Sequence, residues 1–456
     1  MALHVTRLGQ LCSAAASDGT LLAVATREHT VLLLGRDIVG WQQVGRLEER
    51  HEDTISSLHF APAAPGGDSN GGGAQPGQSR LVSSSHDRNA FVWTHQQDVQ
   101  QQHQQQQAAG WQAELAITRL PKAGLCCAWA PGGRKFAIGS VDRLVSVSYL
   151  DAARELWAPR LVKKRHGGAV LALAWHPSGA VLATAAADGR LRLLNALIPE
   201  VDGKPGLPAL GGNRFGEPLA ELALPGAWGL AVSCAPSGAC LAAASQGGNG
   251  AYLTVLSGID LADAANLDAA ALAAAAGAAS TNSADGAAGG AAVAAPPPGR
   301  LQHLRLPGLP LTCLAFLSDE LLVGGGFDCQ PQLFARRADG CWQFVRSLQG
   351  TQEAAASKAP PEPASTSLSA RIKIFEAQAA AASAASGSIK AARPAAQPGG
   401  SSGGRCGTEQ AAAGPHDNRI ISVSPLPPGG GGELRFVSAS LEGCLAEWAV
   451  DPRSLL

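Results

Sequence analysis

His51, Asp87 and Trp93 raise the question of chemistry first. An imidazole oriented by a carboxylate is the usual general base of acyl transfer, and it would need a nucleophile beside it. The set returns with variations, as His166 with Asp188 and as His416 with Glu442 and Trp448. No nucleophile stands in a recognisable setting: the chain has no G-x-S-x-G, no S-x-x-K and no phosphate-binding G-x-x-x-x-G-K-[ST]. Gly324-Gly325-Gly326 ends an apolar run and suits a bulge or a tight packing position better than a phosphate cradle. No His/Cys/Asp group has the spacing of a zinc or calcium site, so neither metal nor cofactor is expected. A repeated His–Asp–Trp set has a structural use instead. The carboxylate accepts from the imidazole and fixes its tautomer, and a Ser or Thr joins the ring to the indole. Asp142 and Asp328 hold the same turn position in further copies.

The elements that position these residues follow from the stretch Leu81–Thr94, LVSSSHDRNAFVWT. An apolar run, a tight polar turn and an alternating Phe91-Val92-Trp93 read as two antiparallel strands joined by a hairpin. His51 lies upstream, followed by a strand, Ile55 to Pro62, that ends in Ala-Pro. Together these parts make one WD40 repeat. Worn copies recur over Cys12–Leu34, His51–Trp93, Trp111–Tyr149, His166–Leu194, Trp228–Leu256, Leu311–Phe334 and His416–Trp448. Their turn positions align as Glu28, Asp87, Asp142, Asp188, Gly250, Asp328 and Glu442, and six residues further on stand Leu34, Trp93, Ser148, Leu194, Leu256, Phe334 and Trp448. The fold class expected is all-β, a seven-bladed WD40 β-propeller formed by residues 1–456 as a single domain. The N-terminal segment around Leu3–Val5 is expected to supply the outer strand of the last blade and close the ring.

Segments 63–79, 96–108, 257–300 and 350–415 interrupt the repeats. They are rich in Gly, Gln, Ala or Pro and are expected to be disordered low-complexity insertions. Within the last of them, residues 368–385 read as one short helical insertion. Leu368, Ile372 and Phe375 fall at i, i+4 and i+7 and share a face, and Gly387 can end the helix. An apolar stripe on a low-complexity tether is a common way of docking into a partner's groove. Arg160-Leu-Val-Lys163-Lys164-Arg165 is the densest basic run, placed between two blades. Solvated outer strand is one reading of it; a patch that meets an acidic partner surface is the other.

The formal net charge of −1 leaves no global basic field for nucleic acid. The ten cysteines form no C-x-x-C pair and read as buried reduced thiols. Neither a secretory h-region nor a long non-Ala apolar run occurs, so membrane insertion is not expected and the cytoplasm is.

Several stretches carry a resemblance to a known family. They are Asp87-Arg-Asn-Ala-Phe-Val-Trp-Thr94, Trp129-Ala-Pro131, Lys135-Phe-Ala-Ile-Gly-Ser140, Lys163-Lys164, Val170-Leu-Ala-Leu-Ala-Trp-His-Pro177, Phe215-Gly-Glu217 and Trp228. In the insertion, Ala370-Arg371 followed by Phe375 adds to them. In these the chain resembles the propeller subunit (subunit 1) family of the actin-related protein 2/3 complex. The resemblance implies a non-catalytic scaffold within an actin-nucleating and branching assembly of the actin cytoskeleton. It implies contacts with the other subunits, with the actin filament and with nucleation-promoting factors. It places partner contacts on Leu368, Arg371, Ile372 and Phe375. An adaptor of another multiprotein complex, in ubiquitin ligation or trafficking, is the alternative expectation.

Overall fold

The computed structural model describes residues 2–37, 40–62, 79–95, 110–151, 153–154, 156–203, 210, 214–248, 250–262, 301–348 and 414–454. The chain divides into two units, Met1–Gly350 with Gly414–Leu456, and Thr351–Ala413. The second unit lies outside the described residues.

The first unit is a seven-bladed β-propeller, each blade a four-stranded antiparallel sheet. Strand β1 (Ala2–Arg7) comes first. Blade one is β2 (Cys12–Ser17), β3 (Leu21–Thr26), β4 (Val31–Arg36) and β5 (Trp41–Leu47). Blade two is β6 (Ile55–Phe60), β7 (Arg80–Ser85), β8 (Ala90–His95) and β9 (Trp111–Ala116). Blade three is β10 (Gly124–Trp129), β11 (Lys135–Ser140), β12 (Val145–Asp151) and β13 (Leu156–Val162). Blade four is β14 (Val170–Trp175), β15 (Val181–Ala186), β16 (Arg190–Asn195) and β17 (Pro218–Ala223), with a short helix α1 (Pro199–Asp202) before its last strand. Blade five is β18 (Trp228–Cys234), β19 (Cys240–Gly247), β20 (Gly250–Ser257) and β21 (Leu301–Leu306). Blade six is β22 (Leu311–Phe316), β23 (Leu321–Gly326), β24 (Gln332–Arg336) and β25 (Trp342–Ser347). Blade seven is β26 (Ile420–Leu426), β27 (Leu434–Ser440) and β28 (Cys444–Val450), completed by β1.

The ring explains the composition of the strands. Second strands such as β7, β11, β15 and β23 are buried at every position, because neighbouring blades cover both faces. They therefore read as unbroken runs of small and branched residues, without the polar alternation of a half-exposed strand. Outer strands such as β5 and β9 keep one face in water and carry polar residues there. The core lies between blades. Between blades two and three, Val82, Val92, Cys127, Trp129, Phe136 and Trp157 pack together, with Trp129 edge-on to Phe136 and Trp157 at ring separations of 5.1 and 5.4 Å.

Every inner strand breaks register with its second strand within its first three residues, at Cys12/Ala14, Ile55/Ser57, Gly124/Cys126, Val170/Ala172, Gly229/Ala231, Leu311/Cys313 and Ile420/Ser422. Such a bulge leaves one residue out of the ladder and increases local twist. In two blades the released residue reaches the next one: Ser56 Oγ donates to the Gly124 carbonyl (2.7 Å) and Thr312 Oγ1 to the Ile420 carbonyl (2.9 Å).

The ring closes as the sequence predicts. β1 pairs antiparallel with β28, Val5 facing Ala446 and Arg7 facing Cys444. Blade one then grips both strands: the Trp41 amide donates to Thr6 Oγ1 of β1 (3.4 Å), and Arg36 meets the fully buried Glu447 carboxylate of β28 at 2.6 Å.

Three sequence boundaries need correction. Trp111–Ala116 was expected to begin blade three, but it pairs with β8 as the outer strand of blade two. A Gln-rich segment separates β8 from β9 inside one blade, so no turn signal links the two strands in sequence. Ser257 was placed in an insertion, yet it belongs to β20, and Ile259 and Leu261 just beyond are buried in the core of blades four and five. Ser79, expected in the first insertion, accepts a backbone hydrogen bond from His95 and so adjoins the β7–β8 hairpin.

Candidate functional site

The His51 set forms as a chain of hydrogen bonds. His51 Nδ1 lies 2.8 Å from Asp87 Oδ2, His51 Nε2 lies 2.7 Å from Ser83 Oγ, and Trp93 Nε1 donates to Ser83 Oγ at 2.9 Å. The Asp87 carboxylate accepts only, so Nδ1 carries the proton, Nε2 accepts from the Ser83 hydroxyl, and that hydroxyl accepts from the indole. Burial acts to raise the Asp87 carboxyl. The bonds from His51 and from the amides of Asn89 and Glu52 outweigh it and hold the group below the usual carboxylate range. Ser–His–Asp is also the order of a hydrolytic triad. Here, however, Ser83 is 0% exposed and its oxygen is saturated, so no substrate reaches it.

Blades four and seven depart from that pattern. His166 Nε2 meets Thr184 Oγ1 at 2.9 Å, but the expected bond to Asp188 does not form. Asp188 turns to Arg192 at 2.8 Å and to the Gly167 amide at 2.7 Å. His166 Nδ1 is buried without a well-formed hydrogen bond, and the Arg143 backbone faces it without completing one. Blade seven keeps the indole end, with Trp448 Nε1 and His416 Nε2 both 2.7 Å from Ser438 Oγ. Its His416 Nδ1 meets Ser440 Oγ at 3.0 Å, where Glu442 was expected.

A feature common to four blades escaped sequence reasoning. The turn carboxylates accept from a backbone amide just ahead of the inner strand: Asp87 from Glu52, Asp188 from Gly167, Asp328 from Leu309 and Glu442 from Asp417, at 2.7–3.1 Å. Each ties the loop entering a blade to that blade's own hairpin. Asp142 instead has Lys122 at 3.7 Å, and Asp328 also accepts from Gln332 Nε2 at 2.9 Å.

The basic run divides in two. Arg160 is engaged within the chain at its surface, 2.5 Å from Glu200 of α1 and 5.9 Å from the ring centroids of Tyr149 and Phe215. Arg165 Nε donates to the Gly216 carbonyl at 3.2 Å and lies 4.0 Å from Glu217. Both therefore tie the segment ahead of β17 to β13 and the loop after it, while each side chain stays partly exposed, Arg160 at 34% and Arg165 at 39%. Lys163 and Lys164 are exposed, with no side-chain hydrogen bond or ion pair among the described residues.

Further cations share that face and were not singled out in the sequence. Arg88 and Arg143 sit in the turns after β7 and β11, and Arg119 and Lys164 in the loops leading to β10 and β14. All four have positive φ, between 53° and 73°. An L-residue pays roughly 1–2 kcal/mol there, and glycine fills the same turn position in blades four and seven. Thr118 Oγ1 donates to the Arg88 carbonyl at 3.2 Å, which joins one of these turns to the neighbouring loop. Residues 368–385, with Leu368, Arg371, Ile372 and Phe375, lie outside the described residues.

Cys127, buried in β10, is not a reactive thiolate. Burial pushes the Cys127 thiol up to about 11, against the bonds from Ser57 and Ser84 that lower it. Among the described residues no helix is long and apolar enough to cross a membrane.

Comparison with known proteins gives two results. The family model of the anaphase-promoting complex subunit 4 WD40 domain matches residues 127–201, which run from within blade three to α1. Over nearly the whole chain there is similarity to proteins named for subunit 1 of the actin-related protein 2/3 complex. The Arabidopsis thaliana subunit 1B protein is 27% identical over 447 residues, 96% of this chain and 94% of that protein. The Xenopus laevis subunit 1A-B protein is 29% identical over 352 residues, 76% of this chain and 77% of that one. The Schizosaccharomyces pombe subunit 1 protein is 25% identical over 333 residues, covering 73% and 72%.

Proposed function

We propose that this protein is a non-catalytic scaffold subunit of an actin-nucleating complex of the actin-related protein 2/3 type. The observation that carries the proposal is similarity to subunit 1 proteins over 96% of the chain, which spans every blade and not one repeat alone. The ring supports the same reading, because among the described residues the Ser83–His51–Asp87 set is sealed in the core while Lys163 and Lys164 are exposed without a side-chain bond. The chain's work is then to hold other subunits and to contribute to filament nucleation and branching, in the cytoplasm. Partner contacts fall on Lys163 and Lys164 with Arg88, Arg119 and Arg143 beside them, and on Leu368, Arg371, Ile372 and Phe375 in the insertion. Actin filament and nucleation-promoting factors are the partners proposed for the insertion.

The test is affinity purification of the tagged full chain from cell extract. Actin-related proteins and the small subunits of that complex should come with it, and their absence overturns the proposal. Lys163→Glu with Lys164→Glu should slow association with the purified partner subunits on the order of tenfold at low salt, and less at high salt, as expected for steering charges. An unchanged rate removes the lysines from the interface. A second reading, an adaptor in a different multiprotein complex, has the match over residues 127–201 in its favour. It predicts capture of a different set of proteins.

A further inference from the structure

We propose that His416, Glu442 and Cys444 form a binding site for a divalent metal ion of the zinc class, at the seam where blade seven meets blade one. Their donor atoms, one imidazole nitrogen, one carboxylate oxygen and one thiol sulfur, lie within 4.8 Å of one another. Nitrogen, oxygen and sulfur donors together suit zinc, which accepts three protein ligands and leaves a fourth position to water.

Blade two shows what blade seven has changed. At the same repeat positions blade two carries His51, Asp87 and Asn89, and its carboxylate is saturated by the ring and two amides. Blade seven carries His416, Glu442 and Cys444 instead. Glu442 Oε1 takes the Asp417 amide at 3.0 Å, while Oε2 is buried with no hydrogen-bond partner. A buried carboxylate oxygen left unsatisfied is costly, and the two substitutions that create it also supply the donors a metal needs. Gly443 between them holds a φ of 77°, and a Cβ there would strike the Gln10 carbonyl, so the turn sits close on blade one.

The surrounding hydrogen bonds can accept the ion. Ser440 Oγ donates to the Cys444 carbonyl at 3.1 Å, so it keeps a partner when His416 Nδ1 turns to metal. The imidazole proton then resides on Nε2 and is donated to Ser438 Oγ. That oxygen already accepts from Trp448 Nε1, and its own proton has the Ala446 carbonyl at 3.4 Å. The Cys444 thiol now donates to the Pro415 carbonyl at 3.2 Å; on metal binding its proton leaves to solvent. Glu442, Asp417 and the thiolate carry three negative charges against Arg7, which lies 3.7 Å from Asp417, so a divalent cation neutralises the group. Glu442 is half-buried in a surface turn, which gives an ion a way in. His416 stands 26 residues before Glu442, a separation no zinc motif in sequence would single out.

The test uses the full chain, stripped with EDTA and titrated with Co²⁺. One equivalent should bind with a thiolate-to-cobalt absorption band, Zn²⁺ should displace it, and both ions should raise the thermal midpoint. Cys444→Ser should abolish the band. Glu442→Gln should weaken binding by roughly 10–100-fold or more, since the loss of even an outer-sphere partner costs that much. Cys341→Ser, in blade six, should change neither. A wild-type protein without the band, or a band that survives Cys444→Ser, overturns the site. Should Cys444→Ser fail to fold, unchanged affinity in Glu442→Gln overturns it equally.

Discussion

Ser83, His51 and Asp87 show how access, and not geometry alone, separates a catalytic set from a structural one. Hydrogen-bond lengths of 2.7 and 2.8 Å would suit a hydrolase, but the hydroxyl also accepts from the Trp93 indole and no face of it is open. His166 shows the same position without the full network. Burial disfavours its charged form, the Arg192 cation adds to that, and Asp188 and Glu221 oppose it, so its pKa falls from 6.5 to about 4. The unfolded chain takes up a proton below about 6.5 and the folded ring only near 4. The stability that comes from keeping this ring neutral is therefore present above pH 6.5 and is lost as pH falls towards 4, by up to about 1.4 kcal/mol per pH unit. Urea denaturation between pH 7 and pH 4 should show a smaller decline in His166→Gln than in the parent, and parallel declines would exclude this residue as a source.

At the scale of elements, α1 is too short to hold itself and depends on three charged contacts. Lys135 Nζ, on a side chain 2% exposed, pairs with Asp202, donates to the Ala196 carbonyl at 2.9 Å and lies 5.1 Å from the centre of the Trp175 ring. Asp202 also accepts from the Ile198 amide at 2.8 Å, and Arg160 takes Glu200. Replacing Asp202 by Ala leaves a buried ammonium without its counter-charge and should cost roughly 3–5 kcal/mol in denaturant unfolding. Lys135→Met with Asp202→Leu removes both charges and should recover most of that loss. This pairing joins blade three to the α1 connection, 67 residues apart, and no local pattern could have suggested it.

What was legible in the sequence follows the same division. The hairpins of blades two and four could be read because turn Asp, apolar alternation and Ala-Pro are all local. The outer strand β9 could not, because a Gln-rich segment stands between it and its partner β8 and its exposed face lacks strong alternation. Of the structural set, the His51–Asp87–Trp93 network could be inferred from residue types. The replacement of Asp188 by Thr184 as His166's sole firm partner depended on Arg192, four residues beyond Asp188, drawing the carboxylate away. The basic run was visible, but which cations were free depended on where α1 and the Phe215 turn packed.

For the whole molecule, the closure by β1 decides whether a ring exists at all. β28 would otherwise present an open edge, a ready template for another chain. Glu447 of that strand is 0% exposed and depends on Arg36 from blade one. Deleting residues 2–8 should therefore lower the denaturation midpoint and shift the protein to larger species on size-exclusion chromatography. A monomeric, equally stable deletion variant would show that β1 is dispensable. The pairing of Val5 with Ala446 has a further result. Inside this sheet two strands far apart along the chain are held side by side by a ladder of hydrogen bonds, which does the work of a peptide link. A cut in the backbone between β24 and β25 should thus be tolerated: those strands are paired in the same way, so the nicked protein should elute as one species with unchanged circular dichroism.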